Sequence, residues 1–551
     1  MTPPTKTSRA ERRWPDAELT ASATMLALML VIGLATVRDY GITIDEFLFD
    51  DFGRKMLDWY RGGFAATPHY DDETIVFYGP WFQILVSIAQ SLLPGHRFDV
   101  RHATTFLIGW AGLAALVPIG RLAIGRWAGL AALVLCLLTG NLYGHLFFSP
   151  NDVPFMATMN FAVLAILIMA RREPSWPATV CTGLLTGLAI ATRVGGLLTQ
   201  LYLIVAMALL GAELVLADRR GSWRALVRIG AHTTVALLIG WVATFALWPW
   251  VQTAHPLTRF REALARFSKV DLDFPFPHWG RAVSSAALPW DYLPGQLLAR
   301  LPEGLVILLV IALGFAAVEA GSFIAAWGQR TGHDGASGRK TAVLRAAQSR
   351  GLLVIAMAAV APIAAFILTR PTIFDGIRHF LFVIPMLALL GAWALWRLAP
   401  LIRRFPIASG VIATAQVVAL IVTLCRLHPL EYIATNALTG GTAGAYGRFD
   451  LDYWCAAATE AIRRLEARLA ADPGGPFAVR PPRVLVCIPW REYLVAPMFR
   501  QNWSVATDAG EADFVIETER SHCAKGGELI DEVRRFDRAF AWTFANPSAR
   551  Q

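Results

Sequence analysis

Long apolar runs broken by short basic loops constrain this chain more than any other feature. Eleven runs approach the roughly 20 residues a helix needs to cross a bilayer. They lie at 19–37, 103–123, 127–143, 153–170, 178–191, 196–216, 229–248, 304–326, 352–368, 379–396 and 407–424. The composition agrees: 55% of the 551 residues are hydrophobic and only 17% are charged, against about 25% charged in a soluble domain. These features predict an all-α polytopic membrane protein. A twelfth apolar stretch, "YGPWFQILVSIAQSLLPG" from Tyr78, has too short a core to cross and reads as an interfacial or re-entrant helix.

Charge fixes the sidedness of this arrangement. With the basic N-terminus (residues 1–18, with Lys6, Arg9, Arg12 and Arg13) in the cytoplasm, the later cytoplasmic loops carry Arg121 and Arg126, then Arg171 and Arg172, then Arg219, Arg220, Arg224 and Arg228. The next holds "GQRTGHDGASGRKTAVLRAAQSR", and the last Arg397, Arg403 and Arg404. All fall on one side, as the positive-inside rule requires. A crossing at residues 78–93 would invert the later loops and break the pattern. The first run lacks a clear cleavage site and is expected to remain as a helix. The transmembrane part then spans 19–427, and the first loop (38–102), the "FFSPND" loop, the long loop 249–303 and the C-terminal part 428–551 lie outside the inner membrane. The net charge of +9 belongs to the basic loops. No basic stretch is interleaved with stacking aromatics, so nucleic acid is not an expected partner.

Two acidic clusters sit at the outer ends of these runs. In "GITIDEFLFDDFGRKM", Asp45 and Glu46 precede an amphipathic helix, with Phe47, Phe49, Phe52 and Met56 on one face. The pair is suited to capping that helix, and capping does not exclude chemistry. In "GHLFFSPNDVPFM", His145, Asn151 and Asp152 lead into the next run. Ionisable residues at a membrane boundary are functional candidates, and two converging carboxylate sets suit general-base work or a divalent cation. Arg193 in "ATRVGG" and Arg378 in "DGIRHFLF" fall at outer ends too, where arginine suits a phosphate through paired hydrogen bonds or a headgroup as an anchor. His379 and His145 are weaker candidates, each also readable as a structural hydrogen-bonding residue.

With those residues in view, the chain resembles the GT-C glycosyltransferases that use lipid-phosphate sugars, in the branch of protein O-mannosyltransferases and bacterial aminoarabinose transferases. The resemblance rests on "TIDEFLFDDFGRKM", "YGPWFQILVSIAQ", "RLAIGRWAGLAALVLCLLTGNLYGH" and "SPNDVPFM" in that order, over residues 20 to 250, with "DGIRHFLFVIP" and "HPLEYIATNALTGGTAGAYGRFDLDYW" further on. It implies an inverting transferase that takes a sugar from a polyprenyl-phosphate donor to an acceptor hydroxyl of a lipid, glycan or protein. It implies Asp45 as general base, Glu46 as its positioning partner and Asp152 as an assisting acid. Arg193 and Arg378 are the phosphate candidates, and Tyr78, His145, Asn151 and His379 the further substrate-binding ones. No cofactor is required by this reading. A divalent cation on Asp45 and Asp152 stays open, and the aminoarabinose transferases carry an acidic residue where Tyr78-Gly79 stands here. The long loop 249–303, rich in aromatics, is expected to cover the site or to form an interfacial belt. The alternative class is a secondary transporter, which boundary carboxylates and arginines also fit; such proteins carry internal repeats and midplane charges, and neither is visible here.

Residues 428–551 read as a small α/β or α+β module. "EAIRRLEARLA" has amphipathic-helix spacing, while "RVLVCIPW" and "ADFVIETE" read as strands. Cys455, Cys487 and Cys523 fall in this module; in an oxidising compartment Cys487 and Cys523, one in each strand region, are candidates to pair, a connectivity that spacing does not fix. The Gly-rich "ALTGGTAGAYGRF" lacks the preceding strand of a phosphate-binding loop.

Overall fold

The computed structural model describes residues 16–63, 73–171, 173–217, 222–268, 273–327, 336–472, 474–478, 480–489 and 495–546. Among these, nine helices are long and apolar enough to cross a membrane, from Ala17–Thr36 to Pro406–Leu427. The other two expected spans take different forms. Ala128–Leu137 and Gly140–Phe148 are long and apolar enough only together and are bent by 76° at the break between them, the form of a broken span or a re-entrant loop. The bend falls at Leu138 and Thr139, where Thr139 is extended. Trp176–Thr192 is apolar but has 17 residues. Trp81–Leu92 has only 12, in accord with a helix that does not cross. The chain is thus a multi-pass membrane protein. The basic positions at 1–15, Arg172, Arg219, Arg220 and 328–335 lie outside the described residues.

The helix that opens with the acidic pair, Ile44–Arg61, buries Phe47, Phe49, Phe52 and Met56. It packs against Trp81–Leu92. Gly53 permits the contact, since a Cβ there would lie 2.5 Å from the Gln83 carbonyl oxygen. The span beginning at Arg97 supplies a buried polar hub beneath both helices. Arg101, fully buried, donates to Gln83 Oε1 at 2.9 Å, and its Nη2 lies 3.5 Å from Asp50. Gln83 in turn donates to the Pro150 carbonyl at 2.6 Å. One span therefore ties the first acidic helix to the second acidic loop.

The long loop folds into a helix Pro256–Ser268, a hairpin of β1 (Pro275–His278) with β2 (Arg281–Ser284), and a helix Tyr292–Arg300. The C-terminal part contains a five-stranded mixed sheet. Its strands are β3 (Arg483–Val486), β4 (Ser504–Val505), β5 (Phe514–Thr518), β6 (Glu528–Arg535) and β7 (Arg538–Ala545), in the order β4-β3-β5-β7-β6. β3 runs parallel to β4 and β5; β7 is antiparallel to β5 and β6. Helix Ala457–Ala470 packs on the sheet. Cys487 and Cys523 form a disulfide. β6 and β7 turn through Phe536 and Asp537, both at positive φ (47° and 62°), the pattern of a type I′ hairpin. The C-terminal part is docked on the membrane part through the first loop. Ile42 N donates to Thr459 Oγ1 at 3.0 Å, and Ile44 N to the Trp454 carbonyl at 3.4 Å.

Candidate active site

The acidic pair divides its roles by helix geometry. Adjacent helical residues point about 100° apart. Glu46, at the third position after Thr43, reaches back to Thr43 N at 2.9 Å and Thr43 Oγ1 at 3.1 Å. Its other oxygen lies 2.9 Å from His102 Nε2. Glu46 is fully buried and belongs to this helix-capping box. Asp45 points the other way, into a cavity of about 560 Å³. The cap is thus Thr43 with Glu46, and Asp45 is left to the cavity.

That cavity gathers seven of the nine residues singled out from the sequence: Asp45, Tyr78, Asn151, Asp152, Arg193, Arg378 and His379. Glu46, read as the positioning partner of Asp45, and His145, read as a candidate substrate-binding residue, are not among its walls. His145 is buried by the bend after Leu138. Its Nε2 faces the Tyr453 hydroxyl at 2.7 Å and its Nδ1 the Asn141 carbonyl at 2.5 Å. It joins the bent span to the C-terminal part.

Arg378 is the electrostatic centre of the cavity. Its Nη1 lies 2.6 Å from Asp45 and 3.9 Å from Asp152, and its Nη2 lies 3.1 Å from Asp375. Arg193 holds Asp152 at 2.5 Å, with its guanidinium 5.4 Å from the Tyr78 ring centre. Gly79 makes this approach possible. A Cβ there would fall 1.3 Å from the Ala191 carbonyl oxygen, two residues before Arg193. Asn151 is 4% exposed, and its amide nitrogen has no hydrogen-bond partner among the described residues. A buried donor without a partner on the wall of a cavity is suited to a ligand acceptor.

Other wall residues were not singled out from the sequence. Asp375 and Arg520 are joined at 2.8 Å, and Phe274 comes from the long loop. Burial pushes the Asp375 carboxyl up to about 6, although Arg520 and Arg378 oppose the rise. Arg520 follows β5 and reaches the cavity from the C-terminal part. Its own acidity is weakened, because Asp450 and Asp375 outweigh the effect of burial. Arg266 of the long loop also lines the cavity, so this loop does contribute to the site. The Gly-rich segment 437–449 does not.

A divalent cation on Asp45 and Asp152 does not fit these residues. A guanidinium nitrogen already stands between the two carboxylates. No group of three or more His, Cys, Asp or Glu side chains that could hold a metal occurs among the described residues.

No protein-family model matches the chain, and no curated protein matches it. Among solved structures, ArnT from Cupriavidus metallidurans in the apo state aligns with a TM-score of 0.50 at 15% identity, over 96% of this chain and 98% of that one. The fold is GT-C. The same protein bound to undecaprenyl phosphate aligns with a TM-score of 0.48 at 15% identity, over 97% and 99% of the two chains. Archaeal oligosaccharyltransferase AglB from Archaeoglobus fulgidus, in complex with an inhibitory peptide and a dolichol-phosphate, gives 0.45 at 13% identity over 91% and 69%. At these identities the shared property is the fold. In this chain the cavity lies where the first loop, the "SPND" loop and the segment before the span Arg378–Arg404 converge.

Proposed function

We propose that the chain is a membrane glycosyltransferase that moves a sugar from a polyprenyl-phosphate carrier to an acceptor hydroxyl. The observation that carries this reading is the placement of Asp45 beside Arg378 and Arg193 in one cavity at the ends of membrane helices. Four arginines (193, 266, 378 and 520) and three aspartates (45, 152 and 375) line it. That balance leaves one positive charge, which matches a sugar phosphodiester with its single negative charge. The ArnT structure with undecaprenyl phosphate bears on the reading by naming a ligand of that class for a protein whose apo form shares this fold.

The chemistry follows from the groups present. A donor phosphate at the Arg193–Arg378 edge competes for the Arg378 guanidinium, which forms its strongest hydrogen bonds to anions. As Arg378 turns to the phosphate, the Asp45 carboxylate is released to accept the proton of the acceptor hydroxyl. The acceptor oxygen attacks the anomeric carbon from the face opposite the phosphate. The bond from that carbon to the phosphate oxygen breaks with inversion, and the polyprenyl phosphate leaves. The phosphate gains negative charge in this step, so the arginines hold the transition state more strongly than the donor. Asn151 Nδ2 and Tyr78 orient the reacting groups. Glu46 acts on Asp45 only through the helix start that it caps.

The reading puts this cavity and residues 428–551 on the outer face of the inner membrane, and the distribution of basic loops supports that side. The Cys487–Cys523 disulfide supports that side, because disulfides persist in oxidising compartments. The test is mass analysis of cell-envelope lipids, glycans and proteins from cells with and without the gene. Loss of one sugar from one acceptor supports the assignment. Identical envelopes, together with accumulation of a transported solute outside the cell, refute it.

A further inference from the structure

The reaction above uses Asp45, Arg193 and Arg378, and leaves the Asp375–Arg520 side of the cavity without a task. That side has a distinct construction. Asp375 is almost fully buried and is shared by two guanidinium groups. Its Oδ2 faces Arg378 Nη2 at 3.1 Å, and its Oδ1 accepts from Arg520 Nη1 at 2.8 Å. Arg520 Nη1 also donates to the Tyr453 carbonyl at 2.7 Å. Its Nη2 lies 3.3 Å from Asp450 but makes no aligned hydrogen bond. Two aromatic rings lie beside the two guanidinium groups that share Asp375. Phe274 and Phe374 lie 5.5 Å apart at 64°. Arg520 sits 5.1 Å from the centre of the first ring, and Arg378 5.1 Å from the second. All four side chains line the cavity.

A carboxylate accepts hydrogen bonds, an arginine donates them in a fixed fork, and aromatic faces cover apolar ring surface. Together they match a hydroxyl-rich ring with both donors and acceptors. The Asp375–Arg520 pair has no net charge, so it suits a neutral sugar better than an anionic one. We infer that Asp375, Arg520, Phe274 and Phe374 form the subsite for the transferred sugar, and that it recognises a neutral hexose of the donor. The C-terminal part thereby sets which sugar is moved, through Arg520, while the membrane part holds the phosphate. This inference rests on the transferase reading above.

The test separates the sugar from its carrier. Purified full-length protein is titrated with undecaprenyl phosphate alone, and with undecaprenyl phosphate carrying glucose, mannose or galactose. At least one hexose should tighten binding over the bare lipid. In Arg520→Lys, which keeps the charge and loses the fork, that gain should fall about ten- to hundredfold, the range for hydrogen bonds to charged groups. Affinity for the bare lipid should stay within about twofold. Phe274→Leu should show the same split. Equal loss for both ligands would make Arg520 a clamp between the two parts and overturn the subsite. A wild-type protein that gains nothing from any of the three hexoses also overturns it. A wild-type protein that does not bind undecaprenyl phosphate at all overturns the transferase reading itself.

Discussion

Arg378→Ala tests the electrostatic centre of the cavity. The side chain is 9% exposed and serves Asp45 at 2.6 Å, Asp375 at 3.1 Å and Asp152 at 3.9 Å. Asp152 keeps Arg193 and Asp375 keeps Arg520, but Asp45 loses the only cation that is within 4 Å of it among the described residues. Removing one partner of a buried ion pair costs about 3–5 kcal/mol, because the remaining charge stays desolvated. The variant is therefore less stable without ligand. It should also lose most of its response to a lipid phosphate. A ligand at 100 times its Kd stabilises a folded protein by about 2.7 kcal/mol, and that increment should largely vanish. Arg378→Lys should recover part of each, since a single ammonium cannot serve Asp45 and Asp375 from two nitrogens. The assay is thermal denaturation in detergent, with and without undecaprenyl phosphate. An Arg378→Ala protein with wild-type stability and a wild-type lipid response would refute this account of the cavity.

Three further outcomes follow from particular contacts. Gly79→Ala should disrupt the Tyr78–Arg193 edge and cut transfer at least tenfold, because its Cβ would meet the Ala191 carbonyl; transfer assays normalised to folded protein would show it. Burial, with Asp450 and Asp452 nearby, raises Glu519 to about 8. A protonated Glu519 in the folded state, against an ionised one in the unfolded chain, means that stability is full below about 4.5 and is lost as pH rises through about 8. Melting temperatures at pH 6 and pH 8 should differ in that sense, and Glu519→Gln should narrow the difference. Reporter fusions after Arg404 and after Asp450 should read cytoplasmic and outside respectively, and a fusion at Asp450 that reads as cytoplasmic would overturn the proposed sidedness.

The membrane architecture was legible because bilayer thickness writes itself into runs of apolar residues. The site was legible where chemistry coincides with a span end, as at Asp45, Asp152, Arg193 and Arg378. It was illegible where neighbours in space are far apart in the chain. Arg520 meets Asp375 across 145 positions, and nothing in "ETERSH" marks that arginine. The Asp45-Glu46 dipeptide did not show which residue faces the cavity, since only the start of the helix at Thr43 decides it. For His145 the sequence left a substrate-binding and a structural role open, and its contact with Tyr453, 308 positions away, could not be read from it. The β6–β7 hairpin went unrecognised because Phe536-Asp537 makes the turn where Asn-Gly or Asp-Gly is the usual signal.

The central claim is that Asp45 takes a proton during sugar transfer from a lipid phosphate. Asp45→Asn is the matching substitution, because Thr43 and Glu46 cap the helix and Asn preserves the size of the side chain. The measurement is the release of undecaprenyl phosphate from sugar-loaded undecaprenyl phosphate in membranes that contain equal amounts of folded wild-type or Asp45→Asn protein. Wild-type membranes should release the lipid phosphate, and the variant should do so about 10²–10⁴-fold more slowly while still binding undecaprenyl phosphate. Near-normal release by Asp45→Asn would contradict the account.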